Sequence, residues 1–133
     1  MEMYEATVKL QGRMSARILL VDDVEVVRST LRSLLAEYTI CGEAENGLVA
    51  LDQVRQLKPD VVVLDITMPV MNGLKATVEI RRFAPSTKII LFTINDTPEA
   101  QEAARMVGAD ALVPKSRAGT DLLPTIQRFT LAN

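Results

Sequence analysis

Short apolar runs recur along the chain at regular intervals, and polar or charged residues separate them. These runs are Arg17–Val21 (RILLV), Ile40–Ala44 (ICGEA), Val61–Leu64 (VVVL), Lys88–Phe92 (KIILF) and Ala111–Val113 (ALV). Their apolar residues follow one another instead of alternating with polar ones, which is typical of strands that are covered on both faces. The pattern therefore predicts five buried strands.

Between these runs, apolar residues repeat at intervals of three and four, which is the spacing of one helix face. This spacing is found in Val27–Tyr38, Gly47–Leu57, Leu74–Phe83, Ala100–Val107 and Leu122–Phe129. Alternation of strands with helices implies a parallel sheet with helices on both faces. We therefore predict an α/β fold, a flavodoxin-like doubly wound (βα)5 sandwich whose five parallel strands have the order 2-1-3-4-5.

The chain has 133 residues, which suits one domain. Residues 1–15 lie outside the repeating pattern, and we predict that they form a mobile N-terminal extension to a folded domain of residues 16–133. No apolar run approaches the ~20 residues of a membrane-spanning helix. The N-terminus also lacks the apolar core of a signal peptide. We therefore expect a cytoplasmic protein that does not contact a membrane.

The composition excludes several kinds of site. There is no histidine, so a Ser-His-Asp triad, an imidazole metal site and phosphohistidine chemistry within this chain are ruled out. The single Cys41 cannot form an internal disulfide and makes a zinc site improbable. The formal net charge of −2 argues against direct binding to nucleic acid. The remaining groups for chemistry are carboxylates, hydroxyls and lysines.

Polar residues follow the predicted strands at the edge where such sheets bind their ligands. Asp22 and Asp23 come after the first strand, Asp65 ends the third, Thr93 ends the fourth, and Lys115 lies just beyond the fifth. Strands one and three are neighbours in the predicted order, so the three carboxylates should converge. Close carboxylates repel one another, and an all-oxygen cluster suits Mg²⁺ or Mn²⁺. The set outlines a site for phosphoryl transfer.

Each of these residues also has a purely structural explanation. Asp23 could cap the first helix, Asp65 could cap a loop, Thr93 could be an ordinary strand residue, and Lys115 could simply be solvated. Their placement at one edge of the sheet favours a functional site over four unrelated structural roles.

Four motifs together resemble the receiver domain of two-component response regulators. They are ILLVDDVEVVR, DVVVLDITMPVMNGL, IILFT and GADALVPKS, and the resemblance extends from Arg17 to about Leu131. The segment Met68–Arg82 is most similar to receivers that elsewhere precede a helix-turn-helix DNA-binding domain. The resemblance implies a phosphoacceptor switch, which receives a phosphoryl group from a sensor histidine kinase or a phosphotransfer protein.

The resemblance also implies a role for each acidic residue. Asp65 would be the phosphoacceptor and would become an acyl phosphate. Asp22 and Asp23 would hold Mg²⁺ or Mn²⁺, directly or through water, together with Asp65 and the backbone carbonyl of Thr67. Such a protein promotes its own phosphorylation and dephosphorylation but does not turn over a free substrate, so we do not expect an enzyme.

Two phosphoryl-binding residues agree with the family, and two signalling positions depart from it. Lys115 would pair with the phosphoryl oxygens, and Thr93 would swing to hydrogen-bond the phosphoryl group. The family's switch aromatic is replaced by Leu112. The position after the switch threonine is usually small, and here it is Ile94, whose branched side chain could crowd the phosphoryl group.

These departures leave more than one function open. A phosphorylated switch would act on a downstream effector protein, and dimerisation on phosphorylation is a further expectation. Leu112 and Ile94 instead suggest a protein-interaction module that works without phosphorylation. A Mg²⁺-dependent phosphohydrolase with an Asp nucleophile is a third hypothesis. Haloacid-dehalogenase-type enzymes carry a second Asp two residues after the nucleophile, and Thr67 occupies that position.

Overall fold

Strands and helices alternate throughout residues 16–130, which are the residues that the computed structural model describes. The strands are β1 (Arg17–Val21), β2 (Thr39–Ala44), β3 (Val61–Asp65), β4 (Lys88–Thr93) and β5 (Ala111–Pro114). The helices are α1 (Glu25–Leu34), α2 (Gly47–Leu57), α3 (Gly73–Phe83), α4 (Pro98–Met106) and α5 (Leu123–Thr130). The extension predicted for residues 1–15 lies outside the described residues.

The five strands form one parallel sheet in the order β2-β1-β3-β4-β5, which confirms the predicted topology. The register explains how the sheet assembles a site. Val21 of β1 is paired with Leu64 of β3. The residues that follow them, Asp22 and Asp65, therefore lie next to each other at the ends of the two strands. Thr93, the last residue of β4, is paired with Pro114, the last residue of β5. Lys115 therefore lies one residue beyond these paired strand ends.

The three central strands β1, β3 and β4 are covered on both faces, as the continuous apolar runs predicted. The prediction of a buried strand is wrong for β2, which is at an edge of the sheet and mostly half-buried, and it holds only in part for the edge strand β5. One face carries Leu19, Val62 and Leu91 against α2, α3 and α4, and the other carries Leu20, Val63 and Ile90 against α1 and α5. Burying an aliphatic side chain of this size contributes about 1.5–3 kcal/mol relative to leaving it exposed. The strands are therefore held firmly, and the loops at their carboxyl ends rest on a rigid base.

Two helices have bounds that differ from the predicted apolar faces. The first face was predicted to reach Tyr38, but α1 ends at Leu34 because the chain must turn back to begin β2 at Thr39. Leu35 and Tyr38 are nevertheless buried within that turn. The last helix is preceded by a 3₁₀ turn and a π-helical segment (Ala118–Leu122). Among residues 16–130, no helix is long and apolar enough to span a membrane.

Candidate functional site

Three carboxylates meet at the carboxyl ends of β1 and β3. Asp22, Asp23 and Asp65 each offer an oxygen, and these oxygens lie within 4.8 Å of one another. Asp22 is fully buried and Asp65 is 6% exposed, whereas Asp23 is exposed to solvent. The cluster therefore lies at the surface, with one carboxylate exposed to solvent and two buried.

Asp22 is fixed by four polar contacts that use both its backbone and its side chain. Its carboxylate accepts hydrogen bonds from the backbone N–H of Val24 at 2.9 Å and from Nζ of Lys115 at 2.7 Å. Its backbone N–H donates to the carbonyl of Ala44 at 3.1 Å, and its carbonyl accepts from Nη1 of Arg28 at 2.6 Å. The carboxylate of Asp22 is thus held in one orientation.

Lys115 brings a positive charge to the two buried carboxylates. Its Nζ lies 2.7 Å from Oδ2 of Asp22 and 3.5 Å from Oδ2 of Asp65. Its ammonium group also lies 5.8 Å from the centre of the buried Phe92 ring. One lysine between two carboxylates leaves the three-carboxylate cluster with a net negative charge, so a cation is still favoured there.

The carboxyl group of Asp65 is destabilised in its ionised form. Burial raises the pKa of Asp65, and the nearby charge of Asp22 raises it further. Lys115 and a backbone hydrogen bond from Thr67 lower this pKa but do not cancel the rise. A divalent cation at the cluster would offset the repulsion between Asp65 and Asp22.

The loop after β3 is packed directly against Asp65. Gly73 at the start of α3 donates its N–H to the carbonyl of Ile66 at 2.8 Å. A Cβ atom at Gly73 would lie 2.0 Å from the backbone carbonyl oxygen of Asp65, so only glycine fits there. Val70, at the tip of this loop, has a φ of 69°. The loop therefore holds Asp65 and the following Thr67 by close backbone packing.

The predicted signalling residues lie around the cluster and do not hydrogen-bond to it. Thr93 is buried, and its Oγ1 accepts a hydrogen bond from the backbone N–H of Asn95 at 3.1 Å. Ile94 is 75% exposed on the loop before α4. Leu112 is partly buried and packs against the core on the α2–α4 side, where it lines a groove of about 410 Å³ beside Ala104. The structure thus gathers Asp22, Asp23, Asp65 and Lys115, with Thr93 at the next strand end.

The donor set fits a hard divalent cation. The cluster offers carboxylate oxygens, with neither histidine nor cysteine among its members, and Mg²⁺ and Mn²⁺ prefer oxygen ligands. The exposure of Asp23 and Thr67 leaves one side open to solvent, as a site that also receives a phosphoryl group requires. When bound, such a cation would neutralise negative charge on carboxylate and phosphoryl oxygens.

The comparison with protein families agrees with this geometry. The model of the response regulator receiver domain matches residues 18–127. The chain belongs to this family. The match extends from within β1 to within α5 and includes every candidate site residue. The receiver domains of two-component systems are phosphoacceptor switches that bind Mg²⁺ at an acidic pocket.

Individual relatives of this receiver support the same assignment. It is 40% identical over 103 residues to the chemotaxis protein CheY of Halobacterium salinarum, covering 77% of this chain and 86% of CheY. It is 33% identical to the nitrate/nitrite response regulator NarL of Escherichia coli over 85% of this chain, which spans 54% of NarL. The similarity to NarL, of which this receiver spans about half, is consistent with a receiver of the kind that precedes a helix-turn-helix output domain.

A solved structure with the same fold is a two-component response regulator of the LuxR family from Aurantimonas sp. SI85-9A1. It superposes with a TM-score of 0.83 at 33% identity, covering 87% of this receiver and 85% of that chain. The fold predicted from the sequence is therefore that of known response regulators.

Sequence reasoning missed two contacts that shape the site. Arg28 donates a hydrogen bond to the carbonyl of Asp22, and the backbone N–H of Asn95 donates one to the hydroxyl oxygen of Thr93. Neither contact leaves a distinct mark in the sequence. Arg28 is one of two arginines on α1, and nothing in the spacing separates it from Arg32. Asn95 takes part through its backbone, which its residue type does not reveal.

We expect Asp65→Asn to stabilise the metal-free protein at neutral pH. The pKa of Asp65 is raised in the folded chain, so its ionisation lowers the free energy of unfolding above that pKa. This penalty begins to shrink as the pH falls through the folded pKa and is gone below the ordinary pKa of an aspartate, whereas asparagine removes it at every pH. Thermal unfolding in EDTA should give a higher midpoint for Asp65→Asn than for the parent, with the difference shrinking in acid. A lower midpoint at neutral pH would contradict this electrostatic description.

Proposed function

We propose that this receiver accepts a phosphoryl group on Asp65 in a Mg²⁺-dependent reaction and signals through the change that follows. The observation that carries the proposal is the position of Asp65. Its carboxylate lies at the end of a buried strand, next to two further carboxylates and 3.5 Å from the ammonium group of Lys115. A rigid nucleophile among charge-neutralising groups is the arrangement that phosphoryl transfer needs.

In the proposed reaction, an oxygen of Asp65 attacks the phosphorus atom of a phosphohistidine on a partner kinase or phosphotransfer protein. The new O–P bond forms as the P–N bond breaks, and the histidine nitrogen keeps the bonding electrons. Asp22, Asp23, Asp65 and the carbonyl of Thr67 would hold Mg²⁺ or Mn²⁺. Lys115 would move from its contact with Asp65 to the new phosphoryl oxygens and neutralise their charge.

Thr93 would report the phosphoryl group. Its hydroxyl oxygen now accepts a hydrogen bond from the N–H of Asn95. To reach a phosphoryl oxygen and donate a hydrogen bond to it, the side chain would rotate away from Asn95 and so release that N–H. The loop that contains Ile94 would then lose one of its anchors and could rearrange. A downstream effector protein, or a second copy of the receiver, would recognise the rearranged face.

A function without phosphorylation is the second candidate, and Leu112 favours it. The leucine packs against the core beside the groove near α4, where an aromatic side chain would be needed for the family's usual readout. In that case the receiver would bind its partner equally well with and without the phosphoryl group. Affinity for an effector, measured with and without a beryllofluoride mimic, separates the two functions.

The experiment that tests the proposal is the intact mass of the protein after incubation with acetyl phosphate. With Mg²⁺, we expect the mass to rise by one phosphoryl group. With EDTA, we expect no rise, because the carboxylates then repel the incoming phosphoryl oxygens. A folded protein that binds Mg²⁺ but gains no mass from acetyl phosphate or from a phosphorylated kinase would refute the phosphoacceptor function.

A further inference from the structure

Arg28 connects the acidic cluster to an ion-pair network on the side of the molecule. Its Nη1 donates to the backbone carbonyl of Asp22 at 2.6 Å, and its Nε donates to the carboxylate of Glu43 at 2.9 Å. Its Nη2 pairs with Glu25, three residues earlier on α1. The side chain is only 15% exposed. A single guanidinium thus joins α1, the end of β2 and the loop that follows β1.

We propose that Arg28 is a positioning residue for the metal site: its hydrogen bond to the Asp22 carbonyl fixes the backbone from which Asp22 and Asp23 project. The inference rests on the proposed function, because it assigns these two carboxylates to the cation. Arg28 does not itself touch the reacting atoms. Its effect reaches them through the orientation of the two aspartates.

The contacts of Asp22 show why its backbone needs this support. The residue follows β1 directly, and its backbone N–H donates a hydrogen bond to the carbonyl of Ala44 at the end of β2. The backbone carbonyl of Asp22 belongs to the peptide that joins it to the exposed Asp23, and this carbonyl accepts a hydrogen bond from Arg28. Without that contact, the peptide between Asp22 and Asp23 could rotate and turn the carboxylate of Asp23 away from its partners. Mutating the groups that hold a metal's ligands in place commonly lowers the affinity for the metal by about 10–100-fold.

Arg32 provides a natural control for this role. It lies one turn further along α1 and pairs with the same two carboxylates, at 3.1 Å from Glu25 and 2.6 Å from Glu43. Its hydrogen bonds in the structure run to these side chains and not to Asp22. Removing Arg32 therefore weakens the network and removes one positive charge, while the backbone contact to Asp22 remains.

The sign of the effect distinguishes positioning from simple electrostatics. Arg28 is a cation near a site for a cation, so Coulomb repulsion alone predicts that Arg28→Met tightens metal binding. Positioning predicts the opposite, because the lost hydrogen bond loosens the ligands. Arg28→Lys keeps the charge but lacks the planar fork that reaches three partners at once, so positioning predicts that it also weakens binding.

The test is the affinity for Mn²⁺, measured by electron paramagnetic resonance of the free ion, and for Mg²⁺ by calorimetry. We expect the dissociation constant to rise roughly tenfold for Arg28→Met and severalfold for Arg28→Lys, and to stay level or fall for Arg32→Met. Thermal unfolding shows whether each variant is folded. If Arg28→Met does not fold, Arg28→Lys alone tests the inference.

The outcomes separate this inference from the proposed function. If the parent binds Mn²⁺ and both Arg28 variants bind it as tightly, Arg28 does not position the site, although phosphorylation of Asp65 could still occur. If Arg28→Met and Arg32→Met weaken binding equally, the network acts as a whole and the specific role of Arg28 is refuted. If the parent itself binds neither metal, the proposed function fails first.

Discussion

Asp65→Asn is expected to abolish the metal-dependent gain of a phosphoryl group. The amide of asparagine is a very weak nucleophile, and the variant also loses one of the three negative charges that attract the cation. The change preserves the shape of the side chain, so its neighbours Lys115 and Thr67 need not move. Intact mass after incubation with acetyl phosphate and Mg²⁺ should equal the mass of the unmodified variant, whereas the parent gains one phosphoryl group.

Asp52→Asn is the matched control for this experiment. Asp52 lies on α2, and its side chain is 72% exposed, far less enclosed than Asp65. The same substitution there should leave the yield of phosphorylation at the level of the parent. Continued phosphorylation of Asp65→Asn, with the phosphoryl group mapped to another residue, would show that the nucleophile has been misassigned. A loss in both variants would point to a general effect of the substitution.

The fold could be predicted from the sequence because its signals are local and repeated. Each strand is a short apolar run, and each helix has its own apolar face, so five independent segments agree on one topology. The placement of Asp22 and Asp65 followed from the same reasoning, since residues at the carboxyl ends of neighbouring parallel strands must be close. The boundary of α1 was less accurate, because Tyr38 continues the apolar pattern beyond the last helical turn.

The parts of the site that the sequence could not predict depend on backbone atoms. The carbonyl of Asp22 binds Arg28, the N–H of Asn95 binds Thr93, and the carbonyl of Asp65 packs on Gly73. Every residue except proline carries both backbone groups, so residue type says little about which of them a site uses. Such contacts emerge only when the loops at the sheet edge are placed in three dimensions.

These backbone contacts divide the site into a fixed part and a part that can move. Asp22 and Asp65 stand at the ends of strands that are buried on both faces, and Lys115 follows the partly buried edge strand β5. Thr93 also ends a strand, but its hydroxyl is bound to the exposed loop that contains Ile94. Under the proposed function, a phosphoryl group bound to the fixed part would therefore act through that loop.

Gly73→Ala is expected to damage both the stability and the chemistry of the receiver. The added Cβ would lie 2.0 Å from the carbonyl oxygen of Asp65 and 3.0 Å from Cα of Ile66, so the loop or the strand end must shift. Forcing a methyl group into such a close-packed position costs about 1–3 kcal/mol of unfolding free energy. A displacement of the nucleophile by about 1 Å can slow a reaction on the order of a hundredfold.

Gly119→Ala gives the control for this substitution, because a Cβ added at Gly119 would meet no atom of residues 16–130 within 4 Å beyond its own neighbours in the chain. That variant should be as stable as the parent or more stable by up to about 1 kcal/mol, since alanine loses less backbone entropy on folding. Urea unfolding measures the first effect, and the rate of phosphorylation by acetyl phosphate at saturating Mg²⁺ measures the second. If Gly73→Ala matched Gly119→Ala in both, the packing of Gly73 on Asp65 would not be what holds the nucleophile in place. A loss of stability with an unchanged rate would mean that the strain relaxes into α3 and leaves Asp65 undisturbed.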